Sequence, residues 1–354
     1  MPDTTDDPRA RLSPAIAEVR RAVRAALADV APGALVLVAL SGGPDSLALA
    51  AATAFEGPRA GLRAGAVVID HGLQEGSAEV AGRAAEQARV LGLSPVTVRT
   101  VRVATGPASV TGGAEASARA ARYAALEDER VTQGAAAVLL GHTLDDQAES
   151  VLLGLARGSG AASLQGMAAA SGPWLRPLLG VRRRSTEACC RDSGLTAWHD
   201  PWNVDPAYAR VRVRERVLPV LEAELGPGVA EALARTAATL REDAQALDAQ
   251  VIEVAEEICV QAEAGVAISV AALAANPAAL RQRVIRYVVE SEFGVSLHRQ
   301  HTLAAARLVT DWHGQKPVDL PGVRVSREGP LLVFRSSRIA NPPAETMDRT
   351  DGTE

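Results

Sequence analysis

Leu35-Val36-Leu37-Val38-Ala39-Leu40-Ser41-Gly42-Gly43-Pro44-Asp45-Ser46 is the stretch on which the fold turns. Its first six residues are apolar without a break. That is strand length, and it is the pattern of a strand buried on both faces of a parallel sheet. A Gly-Gly turn follows, then a helical stretch from Ser46 to Phe55. The glycines of such a turn let backbone N–H groups approach an anion closely. A helix N-terminus behind them adds unpaired donors and a favourable dipole. Ser41 and Ser46 supply hydroxyls for phosphate oxygens, and Asp45 would meet phosphate through a bridging Mg²⁺. The plainer reading is a turn with a serine cap, but strand, serines, glycines, aspartate and helix coincide here. A Walker loop needs a lysine before its Ser/Thr, and the only lysine of the chain is Lys316. The G-x-G-x-x-G spacing of a dinucleotide loop is also missing.

Working outward, the alternation of strand and helix continues. Ser13-Pro14 opens a helix that carries Ile16, Val19, Val23, Ala26, Leu27 and Val30 at helical spacing. Downstream, Ala66–Ile69, Val96–Val101 and Ala136–Leu140 read as strands. Ser77–Leu91, Glu115–Val131 and Leu144–Ala156 read as helices. This is the signature of βαβ units, so the fold class is α/β with a doubly wound parallel sheet. Ligands on such sheets bind at the carboxyl ends of the strands.

After Gly158 the pattern changes. Residues 157–172 are rich in Gly and Ser, and 176–216 are dense in Arg. Helices are expected over Val229–Ala264, Pro277–Glu292 and His298–Trp312, then a short β end at Val323–Ser326 and Leu331–Phe334. Gly and Pro interrupt the pattern at Leu225–Gly228. The expected division is a catalytic domain over 1–225, a smaller, mostly helical domain over 226–336, and a polar, disordered tail over 337–354.

Composition narrows the function. With 354 residues, 47% of them hydrophobic, the chain can build more than one core. A net charge of −5 argues against a nucleic-acid coat protein but leaves room for a local basic face. Cys189, Cys190 and Cys259 make a poor disulfide framework and a poor metal cage, as expected of a reduced, cytoplasmic protein. No apolar run is long enough to span a bilayer, and no signal peptide is recognisable.

Further polar clusters fall at the same strand ends. Asp70-His71-Gly72-Leu73 is either part of a site or a helix-start loop with a capping Asp. Glu115 and Arg119 have the spacing of a surface ion pair, whereas Arg122, on a neighbouring face, could reach a phosphate or carboxylate. Gly141-His142-Thr143-Leu144-Asp145-Asp146-Gln147-Ala148-Glu149 follows the fourth strand. Asp146 and Glu149 share one helix face and would repel unless a metal ion or a substrate amine sat between them. The alternative is an acidic first turn that complements the helix dipole. His142 could accept or position a proton. Arg176, Arg182, Arg183, Arg184, Arg191, Arg210, Arg212, Arg214 and Arg216, with Trp198, Trp202 and Tyr208, suggest a phosphate track with base-stacking rings. A solvated Arg-rich helix over core tryptophans is the alternative.

The loop Ser41–Ser46 resembles the PP-loop of the N-type ATP pyrophosphatases. The clusters above, with Arg157-Gly158-Ser159-Gly160, Leu164-Gln165-Gly166-Met167, Arg176-Pro177-Leu178-Leu179 and Asp200-Pro201-Trp202-Asn203, occur in the order found in the tRNA(Ile)-lysidine synthases. The likeness covers Leu35 to Pro219. It departs at Ser150, where the family usually has Thr, and at Val211, where it usually has Asn. The resemblance implies ATP and Mg²⁺ as cofactors, with Ser41, Gly42, Gly43, Pro44, Asp45 and Ser46 on the nucleotide and Asp45 toward the metal. It implies free L-lysine and an isoleucine tRNA with a CAU anticodon as partners, and it admits a homodimer. By the same correspondence Asp146 and Glu149 hold the lysine amines, with Arg122 and an arginine among Arg212 and Arg214 near its carboxylate or the phosphates. Asp45, Arg122, His142 and Asp146 are the expected catalytic set. A PP-loop tRNA thiolase and a non-enzymatic ATP-binding module are the rival readings. The first generally needs a cysteine near the loop or an iron–sulfur cage, and no cysteine precedes Cys189.

Overall fold

The computed structural model describes residues 13–70, 72, 76–101, 113–158, 160–262 and 265–337, apart from the side chains of 113–116 and 203. His71, Leu73, Ser159 and the tail beyond 337 lie outside the described residues. The chain divides into two units, Met1–Arg241 and Glu242–Glu354.

The first unit is built on the predicted α/β alternation. Its elements are α1 (Pro14–Leu27), β1 (Leu35–Leu40), α2 (Pro44–Arg59), β2 (Arg63–Asp70), α3 (Ser77–Val90), β3 (Val96–Thr100), α4 (Gly113–Thr132), β4 (Ala137–Leu139) and α5 (Leu144–Ala156). Then come α6 (Ala161–Leu164), β5 (Ala170–Ser171), β6 (Trp174–Leu175), α7 (Arg183–Asp192), α8 (Ala209–Arg212) and α9 (Leu218–Leu225). The sheet order is β3-β2-β1-β4-β6-β5. All neighbours are parallel except the β5–β6 pair.

The central strand shows why its sequence has no polar break. Val36, Val38 and Leu40 enter a core shared with Val19, Val23, Leu47 and Ala84, on the side of α1, α2 and α3. Leu35 and Leu37 enter the opposite core, with Leu126 of α4 and Val138. A period of two with both faces buried leaves no position for a polar residue. Ser41, Asp70 and the segment from Gly141 onward therefore emerge together at the carboxyl edge of the sheet.

The arginine-rich segment is helical. Between α8 and α9 lies a π-helical turn, Val213–Val217. Val211, Val213 and Leu218 are buried, while Arg212 is exposed. The valines that alternate with the arginines thus sit on helical turns, with Val211 and Val213 buried and Val217 exposed.

In the second unit α10 (Val229–Ile258), which begins before the division, ends earlier than the helix expected over Val229–Ala264. Residues Cys259–Ala262 instead form β7 and pair antiparallel with β8 (Gly265–Ser269). Ala267 and Ile268 are fully buried there, so tertiary pairing overrides the helical propensity of an Ala/Glu-rich stretch. Next come α11 (Val270–Ala275), α12 (Ala278–Phe293), α13 (Arg299–Thr310), β9 (Val318–Leu320), β10 (Val323–Glu328) and β11 (Leu331–Ser336). The antiparallel sheet runs β7-β8-β11-β10-β9. Ile268, Val323, Val325, Leu332 and Phe334 pack against Val284, Ile285 and Val289 of α12. Among the described residues no helix is long and apolar enough to cross a membrane.

Candidate active site

The loop between β1 and α2 is folded for an anion. Gly42 has φ +83°, a conformation that L side chains rarely adopt, and a Cβ there would lie 3.3 Å from the Cβ of Ala84. The Ser46 hydroxyl donates to Gly43 O at 3.0 Å and accepts from Ser41 N at 3.2 Å, and lies 3.1 Å from the Ser41 hydroxyl. The Trp198 amide donates to Gly42 O at 2.9 Å, pinning the loop from outside. Helix α2 starts with Pro44, and its N-cap, Gly43, offers no side chain to its first-turn amides. These donors are left for a ligand. Gly141, beyond β4, lets the next loop touch this turn: a Cβ there would lie 3.2 Å from Ser46 N.

A cavity of about 380 Å³ opens over this loop. Asp70, Arg122, Tyr123 and His142 line it, and Trp198, Asp200 and Trp202 stand along it. Arg122 makes no hydrogen bond or ion pair within the described residues. Burial and the neighbouring Arg119 push its pKa down. It is a positive charge in a pocket with no counter-charge of its own, which suits an incoming phosphate. Arg119 instead lies over the Tyr123 ring, 5.0 Å from the centroid, with Nη2 donating to the phenolic oxygen at 3.3 Å.

His142 is held neutral. Burial chiefly, with help from Arg176, Arg119 and Arg122, lowers its pKa to about 4 against the pull of Asp146. Its Nδ1 is buried with no hydrogen-bond partner in the described structure. A neutral imidazole with an unused nitrogen at a cavity wall can accept or donate one hydrogen bond to a ligand.

Beside the cavity lies a cluster of carboxylates. Asp146 caps its own helix: its carboxylate accepts from the Thr143 amide at 2.8 Å and the Thr143 hydroxyl at 3.0 Å. Glu149, one turn on, is fully buried. The two do share a helix face, and arginines of the chain lie between them. Arg183 donates to Asp146 at 2.8 Å and to Glu149 at 3.2 Å. Arg214 donates to Glu149 at 2.7 Å and 3.1 Å and lies 3.6 Å from Asp146. Arg210 lies 3.5 Å from Glu149 and donates to the Ser150 hydroxyl at 3.0 Å. The hydroxyl that Ser150 retains thus has a partner. Burial works to raise the Asp146 pKa, but Arg183, the Thr143 amide, His142 and Arg214 bring it below the usual carboxylate range.

Asp45 joins the two regions. It lines the cavity, lies 3.5 Å from Arg183 Nε, and accepts a short hydrogen bond from Thr186. Burial raises its pKa to about 6, more than Thr186 and Arg183 lower it. Among the described residues no group of three or more His, Cys, Asp or Glu is placed to hold a metal ion. A single carboxylate beside a phosphate cradle still fits Mg²⁺, which takes most of its ligands from phosphates and water.

The structure separates the two candidate arginines. Arg214 enters the carboxylate cluster, whereas Arg212 is exposed and donates to Pro206 O and Ala207 O at 2.7 Å each. Arg183 and Thr186 carry more of the site than sequence spacing shows. Their one signal is the i, i+3 register at the start of α7. Trp198 and Trp202 are neither core residues nor remote from the nucleotide loop: Trp202 is 43% exposed at the cavity. Cys189 and Cys190 are buried, and burial raises both thiols, Cys190 to about 11.

Residues 16–221 match a family profile described as a PP-loop domain, and residues 268–329 match one described as the TilS substrate binding domain. A tRNA(Ile)-lysidine synthase of Leifsonia xyli subsp. xyli is 65% identical over 306 residues, spanning 86% of this chain and 91% of that protein. The chain belongs to the tRNA(Ile)-lysidine synthase family. Another member, from Thermobifida fusca, is 53% identical over 324 residues, spanning 90% of this chain and 98% of that one. Among solved structures, the U34-tRNA thiolase NcsA from Methanococcus maripaludis, with its [4Fe-4S] cluster, matches with a TM-score of 0.54. The match covers 64% of this chain and 80% of that one at 20% identity, a likeness of fold. The family's PP-loop domain holds both the cavity and the carboxylate cluster, since every residue named in them lies within 16–221.

Proposed function

We propose that the chain joins free L-lysine to C2 of the wobble cytidine of an isoleucine tRNA with a CAU anticodon, consuming ATP. The cytidine O2 attacks the α-phosphate and pyrophosphate leaves. The lysine ε-amine then attacks C2, the C2–O bond breaks with AMP departing, and the amine loses a proton. Adenylation turns a poor leaving oxygen into a good one.

One observation carries this reading: Asp45 belongs both to the cavity over the glycine loop and to the carboxylate cluster, through Arg183. The anion cradle and the acidic pair therefore adjoin at one sheet edge, as ligation of an amine to an adenylated base demands. The amides of the Gly42–Ser46 loop and Arg122 bind the ATP phosphates. Asp45 would hold Mg²⁺, which would supply positive charge to the phosphates when bound. Asp146 and Glu149 receive the lysine amine, and Arg214 stands beside them. The amine must be neutral to attack, and the unpartnered Nδ1 of neutral His142 is offered to the proton that the amine sheds as it bonds to C2. Trp202, exposed at the cavity mouth, offers a face on which an unpaired base can stack.

A sulfur-transfer reading finds no support in the thiols: the two in the first unit are buried and held protonated. The test is mass analysis of CAU-anticodon tRNA after incubation with ATP and lysine. One lysyl adduct on the anticodon base is expected. Adduct-free tRNA, or a sulfur-bearing base, would reject the proposal.

A further inference from the structure

Arg183 is the first residue of α7. Its amide donates to Asp145 at 2.7 Å, which fixes the backbone from which the side chain departs. The guanidinium, 16% exposed, then meets three carboxylates at once. Nε faces Asp45 at 3.5 Å, Nη2 faces Asp146 at 2.8 Å and Nη1 faces Glu149 at 3.2 Å. Thr186, one turn along the same helix and fully buried, holds the other oxygen of Asp45. Arg214 reaches Asp146 and Glu149, and Arg210 reaches Glu149, but neither has a recorded contact with Asp45. Among the described residues Arg183 is thus the one cation shared between the nucleotide side and the acidic pair. A planar fork spreads its donors over three nitrogens and so spans three separated carboxylates, whereas a lysine ammonium gathers its three donors on one nitrogen.

We propose that Arg183 is a positioning residue that makes ATP binding and lysine binding depend on one another. This rests on the reading that Asp146 and Glu149 receive the lysine amine. When an ammonium arrives at that pair, Arg183 gives up two of its three partners. Its charge is then left to Asp45 and to the phosphates over the neighbouring loop. Lysine therefore tightens the nucleotide, and by linkage the nucleotide tightens lysine by the same factor.

Calorimetric titration of the full chain with Mg²⁺ and α,β-methylene ATP, with and without saturating lysine, measures that factor, and the reverse titration checks reciprocity. The wild-type chain should show coupling of at least about fivefold. In Arg183→Lys and Arg183→Gln the factor should fall to within twofold of unity, while each ligand still binds alone. A purely structural arginine would shift the melting temperature and leave the factor intact. Wild-type binding without coupling, or wild-type coupling retained in Arg183→Lys, overturns the inference. If the wild-type chain still forms the lysyl adduct on tRNA, this inference fails alone. If it neither forms the adduct nor binds lysine, the functional reading falls with it.

Discussion

The nucleotide cradle and the carboxylate cluster adjoin, yet they manage charge in opposite ways. The cradle is left unmatched: Gly43 caps nothing, and Arg122 has no counter-ion among the described residues. The cluster is matched internally, with Arg183, Arg210 and Arg214 facing Asp45, Asp146 and Glu149. Burial explains the difference. The cradle opens into a cavity that Arg122 also lines, where a ligand can reach both. Glu149 is completely buried, and a charge there without a partner would be untenable. An anion site can wait empty. A buried acidic site must hold its own cations, so any incoming amine would have to displace them.

The sharpest way to break this contrast is to remove one partner from each region and compare stability. Glu149→Ala leaves Arg183 and Arg214 short of a buried counter-charge and should cost about 3 to 5 kcal/mol in urea unfolding. A loss below about 1 kcal/mol would mean the cluster is not a matched network. Arg122→Ala removes a partly buried charge that balances nothing, so the fold should not be destabilised by more than about 1 kcal/mol. Its effect should appear in ATP binding instead, as a loss of about 1.5 to 3 kcal/mol, roughly 10- to 150-fold in Kd. A large stability loss in Arg122→Ala would put it in the cluster's class.

A pH-dependent effect concerns the residue common to both regions. The Asp45 carboxyl titrates near 6 in the folded chain, above its ordinary 3.8. Between those values the folded state holds a proton that the unfolded state has released. Stability from this group therefore falls as pH rises from about 4 to 6, by at most about 1.4 kcal/mol per pH unit, and levels off above. Asp45→Asn should remove that slope, so thermal melts from pH 4 to 8 should show the variant gaining on wild type through the window. Parallel profiles would refute the assignment.

Much of this is legible in the sequence. The apolar run Leu35–Leu40, the glycine turn and the helix after it placed the cradle, because a strand buried on both faces has one sequence pattern. The spacing of Asp146 and Glu149 placed both on one helix face. What filled the gap between them was not legible, since Arg183 and Arg214 come from segments 34 and 65 residues beyond Glu149. No local periodicity encodes such a contact. The choice between Arg212 and Arg214 depended on the π turn at Val213–Val217, which sequence alone does not announce. The β7–β8 hairpin was hidden by helix-favouring residues that tertiary pairing overrode. The thread from Asp45 through Thr186 likewise joins residues 141 apart.

The most direct test of the account is a crystal structure of the chain with Mg²⁺, α,β-methylene ATP and lysine. The account predicts phosphate density over Gly42–Ser46 beside Arg122, and the lysine side-chain nitrogen against Asp146 and Glu149, with Arg183 turned from them toward Asp45. Lysine bound away from those carboxylates, with Arg183 still bridging all three, would contradict it.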